Sequence, residues 1–482
     1  MTAAAPTRRE IAGLGAILIV ASAIRIATAG YPLWFDELAS LVFAHQPLGH
    51  LWSGWMVRES NPPLYYSLLK GWIGAFGDGD RAVRLLSILI GIGGIVAGWA
   101  LARRLGGAFA GLAAASLMAV STADVAFSQE VRGYALAHAA TLVALIGAVD
   151  FLDTRRRHAL LLYAAATLVA LYSHTTMILF AGLTGVAVLW LVRQDRRALG
   201  GWLVGNAAIL IGWAWWAAIT VRQLAAPRGT FGWIPSLGPA ASLRVVERAY
   251  LPDFLGQGGL AGDLLLLALA LCLAGLLWRD RRPAVALLGW LVLAAPLALV
   301  AASHWHPVLI VRTLFWASGP LIVLVALMLA EIGSPRAAGA VLALLVVFEA
   351  ALLVHWLPAR QLESWPSALD AIGRAAPGSV MLVDGDAMAL AAAHYLPADD
   401  GLTLVALRRP AGGSNEWAKG LYRGPHVDDA GAVALLRGRG RLSTLTIGDQ
   451  DPGRVLNTVG ERRLWRAASR GEQPFVWIWR AR

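Results

Sequence analysis

The chain has 482 residues, 58% of them hydrophobic and 15% charged, with a mean hydropathy of +0.61. A chain this apolar cannot be wrapped into a water-soluble globule, so an integral membrane protein is expected. The net charge of +11 rests almost wholly on arginine, with lysine only at Lys70 and Lys419, and the arginines cluster between apolar runs, as membrane topology rather than a nucleic-acid-binding face requires.

A helix needs about 20 apolar residues to cross the hydrocarbon layer. Such runs are predicted at about 11–33, 84–102, 106–127, 134–152, 159–173, 176–192, 200–219, 262–278, 284–302, 313–331 and 338–356, about eleven spans. Connectors with Arg8-Arg9, Arg103-Arg104, Arg155-Arg156-Arg157, Arg193/Arg196/Arg197, Arg279/Arg281/Arg282 and Arg336 alternate with connectors poor in positive charge. The positive-inside tendency makes the first set and the N-terminus cytoplasmic. About 34–83, 128–133, 220–261, 303–312 and everything after about 357 are then expected outside. Arg8-Arg9 and a small-residue "ATA" give the first span a signal-peptide look, but Arg25 inside the apolar run argues against cleavage. Arg25 itself is expected to snorkel to the interface. The single cysteine, Cys272, excludes a disulfide within the chain. The glycines of "GIGGIVAG" at 91–98 are expected to serve close helix packing.

Four polar clusters fall on the expected outer rim. They are "WFDELAS" with Asp36 and Glu37; "ESNPPLYYSLLKGW" with Asn61, Tyr65, Tyr66 and Lys70; "FSQEVRGYAL" with Glu130, Arg132 and Tyr134; and "SHWHPVLIVRTLFW" with His304, His306 and Arg312. His174, in "YSHTT", ends a span on the same side. Acids, cations and an aromatic shelf at one membrane face suggest a reaction on a lipid-borne phosphate. Each cluster also has a plainer account. Asp36 and Glu37 could be interface acids, Glu130 with Arg132 a solvated ion pair, and the two histidines around Trp305 interfacial packing rather than metal ligands. Asp124 and Glu349 read as helix–helix hydrogen bonding, and Asp253 as a turn residue or acceptor contact.

After about residue 357 the composition becomes mixed. "SWPSALDAIGRAA" and "AMALAAAHYL" read as helices, and "SVMLV", "LTLVAL", "LSTLTI" and "PFVWIWRA" as strands, a small α/β domain over 357–482. Asp384 and Asp386 in "VDGD" read as a capped strand-to-helix turn, although they also resemble the two-acid motif of soluble glycosyltransferases.

Asp36-Glu37 after the first span, "NPPLYY", "RAVRLLS" from Arg81 to Ser87, "SQEVRGYAL" and "HPVLIVR" together resemble the GT-C glycosyltransferases. Within these the pattern is most similar to the protein O-mannosyltransferase and aminoarabinose-transferase-like group, which includes bacterial lipopolysaccharide glycosyltransferases of the RgtA type. The resemblance covers about residues 10–356 and departs at Asn61, where the family often carries histidine. It implies a polytopic all-α GT-C fold over 1–356 in the cytoplasmic membrane, with 357–482 as an extracytoplasmic α/β domain. It also implies transfer of a sugar from a polyprenyl-phosphate carrier to a hydroxyl of a lipid, glycan or protein, with inversion and without nucleic acid. The acceptor's proton needs a carboxylate, for which Asp36 is the candidate, beside Glu37. The leaving phosphate needs cations: Arg132 and Arg312, with Arg81, Arg84 and Lys70 behind them. Glu130 would orient the acceptor, hold Arg132 or share a metal with Asp36. Asn61, Tyr65, Tyr66, Tyr134, His174 and His306 would line the substrate groove. No cofactor is required, and a divalent metal is compatible with the wider class. A flippase for a lipid-linked substrate and a catalytically silent partner of a glycosyltransferase are the alternatives.

Overall fold

A computed structural model describes residues 5–225, 234–251, 259–357, 366, 380–383, 385–396, 403–408, 416–438, 442–447, 462–466 and 476–481. In chain order its helices are α1 (Arg8–Thr28), α2 (Phe35–His45), α3 (Leu48–Leu51), α4 (Leu64–Phe76), α5 (Asp80–Val120), α6 (Thr122–Gln129), α7 (Tyr134–Thr154) and α8 (Arg157–Leu171). They continue with α9 (Met177–Val192), α10 (Arg196–Ala225), α11 (Pro239–Tyr250), α12 (Leu260–Arg279), α13 (Pro283–Ser303), α14 (Val311–Ala330), α15 (Pro335–Trp356), α16 (Asp386–Tyr395) and α17 (Asp429–Gly438). Two compact units result. The first comprises Met1–Ala29, Trp52–Gly77 and Arg81–Trp356; the second joins Gly30–Leu51 and Asp78–Asp80 to Leu357–Arg482.

The first unit is a helical bundle. By length and composition α1, α5, α7, α10, α12, α13, α14 and α15 can each cross a membrane, and α8 and α9 are shorter apolar helices. Helix α5 has 41 residues but turns at Gly107, where φ is +79°, a conformation glycine adopts without steric cost. A Cβ at Gly98 would strike Met118, and one at Gly111 would lie 2.8 Å from the Arg103 Cβ, so the halves of α5 run back along each other. These halves are the second and third apolar runs of the sequence, the third continuing into α6. At Gly91 an added Cβ would lie 2.5 Å from the Ser128 Cβ, so this glycine lets α5 approach α6, the packing role expected of the glycine-rich run. Helices α7 and α14 form the centre, with 72% and 78% of their apolar windows buried, whereas α1, α12 and α15 bury 11%, 17% and 17% and present the rest outward.

One end of the bundle is tied by the arginine connectors. Arg103 Nε lies 3.1 Å from Glu10, which also closes a capping box with Thr7 at the start of α1. Arg104 reaches Asp150 at 2.8 Å and Asp153 at 2.9 Å, Arg155 reaches Asp195 at 3.2 Å, and Arg282 donates to the Leu105 carbonyl at 2.5 Å.

The snorkelling expected of Arg25 is not what the structure shows. Its side chain is only 1% exposed and turns into the bundle, donating to Ser128 Oγ at 2.9 Å and to the Ala119 and Met118 carbonyls at 2.9 and 3.1 Å. Those carbonyls, at the end of α5, have lost their next-turn partners, and the guanidinium supplies donors that snorkelling would waste. Gln129, also buried, donates to the Arg25 carbonyl and to Thr28 Oγ1, both at 2.6 Å. Asp124 lies 3.6 Å from His138 Nε2, which links α6 to α7, and α15, the helix of Glu349, packs on α6. Helix α6 is thus held from α1, α7 and α15.

In the second unit β1 (Val380–Val383), β2 (Thr403–Leu407), β3 (His426–Val427), β4 (Leu442–Ile447), β5 (Arg462–Arg466) and β6 (Val476–Ala481) form one sheet of order β3-β2-β1-β4-β6-β5. The first four are parallel; β6 pairs antiparallel with β4 and β5. The expected strands and the helix of "AMALAAAHYL" are present, while β3, β5 and α17 carry too little pattern to be read from sequence. The helix expected in "SWPSALDAIGRAA" lies, apart from Pro366, outside the described residues.

Replacing Arg25 with alanine strands several buried acceptors at once. The expected loss is about 3 kcal/mol, seen as a lowered unfolding temperature of the detergent-solubilised protein.

Candidate active site

Pro62 and Pro63 supply no N–H and keep the chain out of helix between the 3₁₀ turn Gly54–Arg58 and α4. The polar groups freed there converge on Glu59, only 4% exposed. Its Oε1 accepts from Asn61 N–H and Asn61 Nδ2, both at 3.1 Å, and from Tyr66 OH at 2.9 Å. Its backbone carbonyl accepts from Gln223 Nε2 at 2.6 Å, and Thr175 Oγ1 donates to the Ser60 carbonyl. Arg132, also buried, donates to Tyr66 OH at 3.1 Å and lies 3.8 Å from the Glu59 carboxylate. A buried cation is therefore held by a phenol and a carboxylate from a different part of the chain. Burial holds the Tyr66 phenol well above its ordinary range against the opposing pull of Arg132, so it stays a donor to Glu59.

His174 completes this rim. Its ring lies 5.1 Å from that of Tyr134, and its Nδ1 is 2.8 Å from Thr176 Oγ1. Burial, reinforced by the charges of Arg132 and Arg312, pushes its pKa down to about 3, so the imidazole is neutral at physiological pH. Both arginines thus act on one imidazole although they lie 180 positions apart (312 minus 132) in the sequence. Between Arg132 and Tyr134, Gly133 is required: a Cβ there would collide with the Ser173 carbonyl. Beside this cluster Tyr65 OH shares a hydrogen bond with Ser87 Oγ at 2.6 Å, its ring 6.3 Å from that of Tyr66.

Asn61, Tyr65, Tyr66, Arg132, Tyr134, His174 and Arg312 are therefore drawn toward one end of the bundle. Glu130 is half-buried at the end of α6. Arg84 is fully buried and donates to the Ala29 carbonyl at 3.2 Å, a bond that braces the end of α1. Lys70 is half-buried on α4, while Arg81 and His306 are exposed. Asp253 and Asp384 lie outside the described residues. Sequence reasoning passed over Glu59; the signal was an acid two residues before Asn61-Pro62-Pro63, where an irregular segment needs an acceptor. Among the described residues no group of three or more histidine, cysteine, aspartate and glutamate side chains comes together to hold a metal ion.

In the second unit the two adjacent acids part company. Glu37 is fully buried and its Oε2 accepts the Trp34 backbone N–H at 3.1 Å, which fixes the start of α2. Asp36, half-buried, stands in the same first turn.

Residues 60–218 match the family model described as dolichyl-phosphate-mannose-protein mannosyltransferase. The fold is similar to that of ArnT from Cupriavidus metallidurans. The apo crystal structure gives a TM-score of 0.64 at 15% identity, covering 98% of both chains. The one bound to undecaprenyl phosphate gives 0.63 at 14%, covering 98% of this chain and 97% of that one. The Pmt1-Pmt2 protein O-mannosyltransferase complex of S. cerevisiae bound to the sugar donor matches 45% of this chain and 34% of that one, at 18% identity and a TM-score of 0.36. No curated protein matches the chain in sequence. The resemblance read from the motifs is borne out: the chain has the GT-C fold, a polytopic helical bundle followed by a small C-terminal region with strands.

The neutral His174 makes stability pH-dependent. The unfolded imidazole takes a proton below about pH 6.5 that the folded one refuses until about pH 3, so stability is lost as pH falls through that window. The slope reaches up to about 1.4 kcal/mol per pH unit. Thermal unfolding at pH 7 and pH 5 should show a smaller loss in His174→Gln than in the wild type.

Proposed function

We propose that this chain is a membrane glycosyltransferase that moves a sugar from a polyprenyl-phosphate carrier to an acceptor hydroxyl at the outer face of the cytoplasmic membrane, with inversion. The observation that carries this reading is the buried Arg132, held by Tyr66 and Glu59 next to the Tyr134–His174 ring pair. A cation there favours an anion as its partner, and a lipid phosphate is the anion a membrane rim can draw from the bilayer. The undecaprenyl phosphate in the ArnT structure supports the same chemistry.

In the proposed step the acceptor oxygen attacks the anomeric carbon as the bond from that carbon to the phosphate oxygen breaks. The electron pair leaves with the phosphate, which goes from diester to monoester and gains negative charge. Arg132 and Arg312 lower the energy of that charge because they are fixed before it forms. Glu59 and Tyr66 hold Arg132 in place. The acceptor hydroxyl is a poor nucleophile until its proton leaves, and Asp36 takes that proton. Glu37, committed to the start of α2, supports Asp36. No step is routed through a metal ion.

Asp36→Asn should lower turnover by about 10²- to 10⁴-fold while native mass spectrometry still finds polyprenyl phosphate bound. Arg132→Met should weaken that binding by about 10- to 100-fold. A protein that moves polyprenyl-phosphate sugar across a vesicle bilayer and forms no glycosidic bond would be a flippase instead.

A further inference from the structure

The helix carrying Asp36 is short. At 11 residues α2 is below the length of about 12–15 at which an isolated helix holds in water, so its order comes from what packs on it. Inside the second unit that packing is supplied by residues more than 340 positions further along the chain.

Two contacts do this. At the end of α16, Tyr395 OH accepts the backbone N–H of Leu33 at 2.6 Å and donates to Asp80 Oδ2 at 3.0 Å. His394 Nε2 lies 3.4 Å from the other Asp80 oxygen. Leu33 is fully buried three residues before Asp36, so its N–H needs an acceptor and the phenol provides one. The second contact is Trp417, itself buried, whose ring lies 5.8 Å from Phe35 and 5.7 Å from Phe43. Phe35 adjoins Asp36, and Phe43 is two turns further on, so one indole braces α2 along its length. Rotation of α2 about its axis would break the Trp417 contacts; sliding along it would break the Leu33 bond.

We infer that Tyr395 and Trp417, in the C-terminal region, are positioning residues that set the place of the Asp36 carboxylate within the second unit. The inference rests on Asp36 being the base. A base must stand within hydrogen-bond reach of the acceptor hydroxyl, and displacement by about 1 Å can cost about 10²-fold in rate. The role of the C-terminal region is then geometric, and it acts through a backbone N–H and an aromatic clamp.

The test uses the full chain in nanodiscs with polyprenyl-phosphate mannose as donor probe for turnover, undecaprenyl phosphate as binding probe, and three variants, Tyr395→Phe, Trp417→Ala and Trp417→Phe. Hydrogen–deuterium exchange at residues 33–45 is measured together with kcat, KM and lipid binding by native mass spectrometry. Tyr395→Phe and Trp417→Ala should speed exchange in α2 and lower kcat by about 10²-fold, with KM and undecaprenyl phosphate binding unchanged; Trp417→Phe, which restores a ring, should recover part of both losses. Unchanged exchange in α2 overturns the inference whatever the activity, and so does faster exchange with wild-type kcat. Wild-type turnover in Asp36→Asn instead defeats the assignment of the base, in a protein whose Tyr395 and Trp417 are untouched, so the two failures separate.

Discussion

A guanidinium taken out of water has to be met by acceptors, and how each buried arginine meets them decides what the rest of this molecule can do. Arg25 is satisfied by carbonyls and a hydroxyl, Arg84 by a carbonyl among its partners, and both are thereby used up as struts. Arg132 has instead a phenol and a carboxylate beside it. Carbonyls pin a cation in place, whereas a carboxylate also offsets its charge. That charge balance explains why a glutamate is buried in an otherwise apolar bundle.

The same logic links the anchoring of α6 to the site. This helix is fastened through Arg25, Gln129 and Asp124, and its last residues lead directly to Glu130 and Arg132. A short polar helix set among apolar ones keeps its register only because each polar group finds a named partner. Rigidity at Arg132 is thus built from contacts with no ligand role of their own.

Much of this was legible in the chain itself. Apolar runs located the bundle helices because a bilayer leaves hydropathy as the dominant signal, and the polar clusters at run ends marked Asn61, Tyr66, Arg132, His174 and Arg312. What stayed hidden depends on facing and on distance. The sequence around Arg25 is compatible with a side chain turned to either the interface or the bundle, and only the unfilled carbonyls at the end of α5 decide. Glu59 looked like an ordinary loop acid because its partners come from 61, 66 and 132. The grouping of Gly30–Leu51 with C-terminal residues leaves no local trace, since the Leu33–Tyr395 bond joins positions 362 apart.

The turn at Gly107 bears on how the protein is made. Undivided, the 41 residues of α5 would measure about 60 Å, twice the hydrocarbon thickness; folded back, they form a hairpin with almost no loop. The stretch after the turn, from 108 to 120, is too short to cross alone and continues through Ser121 into α6. The second arm is not a self-sufficient insertion signal, so it must leave the translocation machinery beside the first. Biogenesis would then proceed by pairs here.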